Sequence, residues 1–134
     1  MTTRTTIAAL AACFGLALQP AFALGPLKDV DYVREGIIDV GIAYELSERC
    51  ESLNARLFAG LGFLNSLKNH ARGLGYSNAE IDAYVNDEAE KDRLEAIARE
   101  RLVAMGAIPG DAASHCAVGR AQIAANTRVG SLLR

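Results

Sequence analysis

Two distant cysteines, Cys50 and Cys116, and two histidines, His70 and His115, are the first places to look for chemistry in this 134-residue chain. A redox pair usually reads C-x-x-C at a helix start, where one thiol is activated. Cys50 and Cys116 stand about 65 residues apart and do not fit that pattern. A zinc site needs more ligands than two Cys and a stray His, and a site shared by His70 and His115 lacks the rest of its donors. Asp111, Ser114 and His115 are the residue types of a hydrolase triad. They fall within five residues, so their side chains diverge around a helix start instead of converging. Glu48 and Glu51 could be posed as general acid and base, but they read better as solvent-facing charges. The acidic run from Asp87 to Asp92 lacks the ligand spacing and glycine of a calcium loop. Gly60-Leu61-Gly62 has neither the preceding strand nor the third glycine of a phosphate loop. The expectation is that no residue is catalytic, none binds a metal or cofactor, and the protein is not an enzyme.

The N-terminus sets the compartment. Residues 5–23 carry no charge and hold Ile7, Leu10, Phe14, Leu16 and Leu18 in an Ala-rich run. Pro20 breaks the helix, and Ala21 and Ala23 are the small residues a signal peptidase accepts. Residues 1–23 are therefore read as a signal peptide cleaved after Ala23, with the domain at 24–134 and a periplasmic location. Two other readings stay open. One is an uncleaved membrane anchor. The other is a lipoprotein signal ending at Cys13, although Cys13 comes early and apolar residues follow it. Cleavage after Ala23 removes Cys13 and leaves two cysteines in an oxidising space, so Cys50 and Cys116 are expected to pair. Closing that loop is worth about 4 kcal/mol in the chain-entropy account.

Loss of Arg4 leaves 13 of the 14 basic residues against 16 acidic ones, so the net charge moves from −2 to −3. That balance gives no reason to expect nucleic-acid binding, which needs a concentrated positive face. There is no Trp, and each of the four tyrosines fits a helix face.

Helix-period apolar spacing covers most of residues 24–134, and the fold class expected is all-α: a single-domain bundle of four to five helices with one disulfide. The first helix, capped by Asp29 or Asp31, carries two stripes: Val33, Ile37, Val40 and Tyr44 beside Ile38, Ile42 and Leu46. A second is expected from near Ser52, with Leu57, Leu61, Leu64, Leu67, Ala71 and Leu74 inward, Phe58 and Phe63 widening that face, and Gly60 and Gly62 admitting a neighbouring helix. Gly75 ends it in the left-handed position. Ser77-Asn78-Ala79-Glu80 is a capping box, with Tyr76 and Ile81 placed as a hydrophobic staple, so the second and third helices form a hairpin. Leu94, Ile97, Ala98, Leu102 and Met105 give the fourth helix its face. Asp87–Lys91, Lys91–Glu95 and Glu95–Arg99 support it from outside. Gly106 stops it, and Asp111 or Ser114 caps a last helix bearing Cys116 and Ile123. The apolar ending, Val129 to Arg134, either packs back on the domain or docks on a partner.

Cys50, Gly75-Tyr76-Ser77 with Glu80-Ile81, and Ala83 to Asp87 running into Glu90-Lys91 form the first half of a wider pattern. Pro109-Gly110, Cys116, Gly119-Arg120 and the Gly130-x-Leu132-Leu133-Arg134 ending complete it. Together they resemble a group of short exported alphaproteobacterial proteins, the domain of unknown function 5333. The resemblance implies a periplasmic, helical, one-disulfide domain and brings no activity or site residues.

The function expected is a non-enzymatic periplasmic interaction or structural module with a protein partner and no stable membrane insertion after cleavage. The alternative is an envelope-stress chaperone or apolar-ligand carrier. An enzyme would instead show a deep pocket holding two or more ionisable groups.

Overall fold

The computed structural model describes residues 24–134. The signal-peptide reading of residues 1–23, the cleavage after Ala23 and the lipoprotein reading at Cys13 all lie outside them. After a single 3₁₀ turn at Leu27–Asp29 come α1 (Asp31–Arg49), α2 (Leu57–Leu74), α3 (Asn78–Val85), α4 (Glu88–Ala104), α5 (Ala112–Ala124) and the one-turn α6 (Arg128–Ser131). The fold is all-α, with five substantial helices and a sixth of a single turn.

Helix α1 is the hub, touching α2, α4, α5 and α6. Its Ile38, Ile42 and Leu46, four apart and therefore on one face, are 0–1 % exposed. Leu94, Ala98 and Leu102 of α4 meet them at the same spacing, with Val118, Val129, Leu132 and Leu133 closing the far side. Each such aliphatic side chain contributes about 1.5–3 kcal/mol on burial, so this stripe is the main source of stability. A smaller cluster of Leu27, Val33, Ala71, Tyr76 and Ile81 seals the other end of α1. Tyr76 satisfies its hydroxyl there by donating to the Gly25 carbonyl at 2.8 Å.

The α2–α3 hairpin follows its sequence signals. Gly75 has φ +106°. Its N–H and that of Tyr76 donate to Arg72 and Ala71 carbonyls, tying off the end of α2. Ser77 Oγ accepts from Glu80 N–H at 3.2 Å, and Glu80 accepts from Ser77 N–H at 2.7 Å. Tyr76 and Ile81 are buried together, as a staple requires. Between α3 and α4 the chain breaks at Asn86, and Asp87 caps α4 by accepting from Glu90 N–H. Asp111 caps α5 through Ala113 N–H, whereas Ser114 Oγ accepts from Ile108 N–H in the preceding turn.

Several local expectations fail for identifiable reasons. Val30 occupies the start of α1 with no side-chain cap, so neither Asp29 nor Asp31 serves. Helix α2 begins at Leu57, not near Ser52. Leu53 is buried against Gly119, leaving no room there for a Cβ. Residues 54–56 pair instead with 132–134. Asn54 and Arg134 exchange both backbone bonds at 2.8 and 2.9 Å, and Arg56 N–H donates to Leu132 O at 2.8 Å. That short ladder satisfies backbone groups a helix would otherwise have paired. It also settles the place of the last residues: Val129, Leu132 and Leu133 are buried in the core. Gly60 and Gly62 have no neighbour within 4 Å of an added Cβ, so no helix approaches there. The close approach is at Gly36, where an added Cβ would meet Leu67 at 2.7 Å. On α4, Lys91 pairs with Glu88 at 3.0 Å instead of Asp87, while Glu95–Arg99 forms at 2.8 Å. Met105, expected on the inner face, is exposed.

Candidate functional site

Helix α1 ends at Arg49 and delivers Cys50 in extended backbone; α5 presents Cys116 one turn in from its capped start. Their Cα atoms are 5.1 Å apart and the two sulfurs meet at bonding distance. Cys50 is fully buried. Ser52 Oγ lies 3.2 Å from Cys50 Sγ and accepts from the Arg120 guanidinium at 3.2 Å. The bridge therefore ties the end of α1 to the first turn of α5, with a polar roof over it.

The residues weighed as a triad do not converge. His115 Nδ1 lies 2.8 Å from the Asp111 carbonyl, so it is the ring nitrogen that donates. Ser114 Oγ is engaged with Asp111 O and Ile108 N, and the Asp111 carboxylate with Ala113 N–H. His70 packs against Tyr32 at the first turn of α1, the ring centroids 4.6 Å apart and the planes tilted by 52°. His115 lies beside Arg49 at the last turn. Seventeen residues of helix, about 26 Å, separate those two ends. Among the described residues no group of three or more His, Cys, Asp or Glu side chains could hold a metal ion. Glu48 and Glu51 are exposed.

Three buried or half-buried acid networks have structural partners. Glu90 accepts from Arg93 at 2.6 and 2.8 Å, which holds its carboxyl below the usual range despite burial. Burial, with the Glu90 charge beside it, pushes the Tyr84 phenol up to about 12. Glu35 is lowered by its 2.6 Å bond from Arg101, and Asp39 is raised by burial against the nearby Arg128. These networks pin the α3–α4 joint and the contacts of α1 with α4 and α6.

Two pockets gather ionisable groups. One, of ≈ 320 Å³ at the α3–α4 joint, is lined by Lys28, Glu80, Tyr84, Asp87 and Glu90, with Glu80 and Asp87 committed to helix caps and Glu90 to Arg93. The other has a volume of ≈ 180 Å³ between the end of α1, the end of α4 and the turn before α5, and Glu45, Arg49, Arg99 and His115 line it.

The larger anomaly is apolar. Leu57, Phe58 and Leu61, expected inside, are 73 %, 92 % and 63 % exposed. Tyr44, on the facing side of α1, is exposed as well. Beneath them runs a groove of ≈ 310 Å³ between α1, α2 and α3, lined by Ile37, Leu61, Leu64, Lys68 and Val85 among others. A smaller one of ≈ 140 Å³ between α1 and the start of α2 shares Leu61 and Leu64 with it. Ridge and grooves form one apolar strip, of the kind that marks interaction surfaces. Its charge has one sign. No acidic residue occurs from Ser52 to Ala79, while Arg56, Lys68 and Arg72 do. Among the described residues none of those three has a carboxylate ion-pair partner. Sequence periodicity marked the strip correctly as apolar but placed it in the core.

No helix of the described residues is long and apolar enough to cross a membrane. Nothing among curated proteins or solved structures matches the chain. Residues 25–134 match a family model described as a family of unknown function (DUF5333), so the chain belongs to that family.

Proposed function

We propose that this domain is a non-enzymatic interaction module of the bacterial periplasm, exported by cleavage after Ala23, which binds a partner protein through the α2 strip. The observation that carries the reading is Phe58, 92 % exposed on the ridge between Leu57 and Leu61. A large aromatic left almost wholly in water, more exposed than any other large apolar side chain of the described residues, is the anchor type that dominates protein interfaces. The cationic, acid-free flank selects a partner segment that pairs apolar side chains with carboxylates.

Site-specific photo-crosslinking in intact cells tests this. A photoreactive residue at position 58 or 61 is expected to give one and the same discrete protein adduct, and one at Glu100 on α4 none. Adducts to lipid or to a second copy of the chain, or equal adducts from all three positions, would overturn it. N-terminal sequencing of the periplasmic fraction is expected to begin at Leu24; a chain retaining residues 1–23 would refute the export reading alone.

The groove of ≈ 310 Å³ favours a second reading, carriage of a small apolar ligand, because it lies at the low end of ligand-pocket volumes. An environment-sensitive dye that binds at neutral pH and is expelled by Leu64→Asp would support carriage; binding indifferent to that change would exclude it.

A further inference from the structure

We propose that the pocket beside the disulfide binds a small carboxylate, held by the guanidinium groups of Arg49 and Arg99 above an apolar floor. The pocket shares no lining residue with the two α2 grooves, and the inference does not rest on the docking role. Its lining carries two arginines, Arg49 paired with Glu45 and Arg99 with Glu95 just outside the lining, so what singles it out is the unused guanidinium edges and not its net charge.

Neither guanidinium is used up. Arg49 spends Nε on Glu45 at 3.0 Å, and Arg99 spends one terminal nitrogen on Glu95 at 2.8 Å. Among the described residues the other donors of both groups have no partner. The existing pair aims each fork, and the unused edge matches a carboxylate bidentately. His115, 7 % exposed, lines the same space; with Nδ1 committed to the Asp111 carbonyl, its Nε2 is the ring atom left over. Leu102, Val103 and Pro109 supply the floor.

The walls are fixed before a ligand arrives. Arg49 precedes Cys50 and His115 precedes Cys116, so the bridge holds them across a Cα–Cα span of 5.1 Å between the two cysteines. Such pre-organisation lowers the ordering cost of binding. At ≈ 180 Å³ the pocket takes roughly six water-sized groups, the size of a four-carbon carboxylate. The same chemistry is presented by a free short-chain acid or by the C-terminal carboxylate of a peptide.

The test is a titration of the folded residue 24–134 domain, disulfide intact, followed by nitrogen-15 NMR. Sodium butyrate is added at constant ionic strength, with butylammonium chloride as control. Saturable shifts of the Arg49 and Arg99 Nε signals and of amides 108–115 are expected, with half-saturation on the order of 1 mM. Arg49→Gln and Arg99→Gln, both at exposed side chains and so not expected to unfold the domain, should each weaken binding about tenfold or more. Arg72→Gln should leave it unchanged. A peptide ending in valine, against its C-terminal amide, assigns the source: tighter binding than butyrate indicates a chain end, weaker binding a free acid. No saturation, equal shifts with butylammonium, or unaltered binding by both variants would overturn the proposal.

Discussion

Reducing the Cys50–Cys116 bridge should lower the melting temperature of the residue 24–134 domain by about 17 °C. The two cysteines are 66 positions apart, so cutting the link returns about 4 kcal/mol of loop-closure entropy to the unfolded chain. Residues 24–134 number 111, and at about 2.1 cal/mol/K per residue their unfolding entropy is about 0.23 kcal/mol/K. The quotient gives the shift. Melting the same protein by circular dichroism with and without a phosphine reductant measures it, and adds no packing change beyond the sulfur–sulfur bond itself. Replacing both cysteines with alanine should cost more, since Cys50 is fully buried and its sulfur fills space in the core. Oxidised and reduced melts within about 5 °C of one another would refute the reasoning, because the unfolded chain would then gain little freedom from the cut.

The glycines separate into opposite signs. Gly60→Ala with Gly62→Ala should stabilise by about 1–2 kcal/mol in total, since both lie in a helix with open space at Cβ; chemical denaturation checks this, and destabilisation would mean that α2 is closely packed there. Gly130→Ala should be strongly destabilising, because its Cβ would run into the Gln122 backbone, which cannot swing aside. Ser77→Ala should cost about 1 kcal/mol of equilibrium stability through loss of the reciprocal cap. Lowering the pH should weaken the fold through Glu35 and Glu90. Their folded-state values are depressed, so their contribution is complete above the ordinary carboxylate range, near pH 4.5, and is lost as pH falls below it. Asp39, raised by burial, opposes this over the same interval. Urea titrations at pH 7, 4 and 3 read the balance. Glu90→Gln should flatten the acid loss, and an unchanged profile would discount that pair.

Much of the architecture is local and therefore legible. Gly75, the Ser77–Glu80 box and the Tyr76–Ile81 staple act within seven residues and form as read. The stripe Ile38, Ile42 and Leu46 is sealed because α1 has helices on several sides. Leu57 and Leu61 carry the same periodicity yet lie in water, since spacing defines an apolar face without naming what covers it. Residues 52–56 look helical in isolation. Their partner segment, residues 132–134, lies nearly eighty positions away, and the Leu53–Gly119 contact that pins them has no local signature. The carboxylate pocket was half legible. Once Cys50 and Cys116 pair, their neighbours Arg49 and His115 must come close; Arg99 arrives only through the α1–α4 packing, which no motif announces.

The position of α1 at the hub has a kinetic corollary. Ile42 and Leu46 are covered in part by Val118, Val129, Leu132 and Leu133, all supplied after the turn at Gly110. A nascent polypeptide that has emerged only that far has its principal seam open on one side and its early thiol unmatched. Closure waits on contacts between remote stretches, which slows collapse relative to an up-and-down bundle.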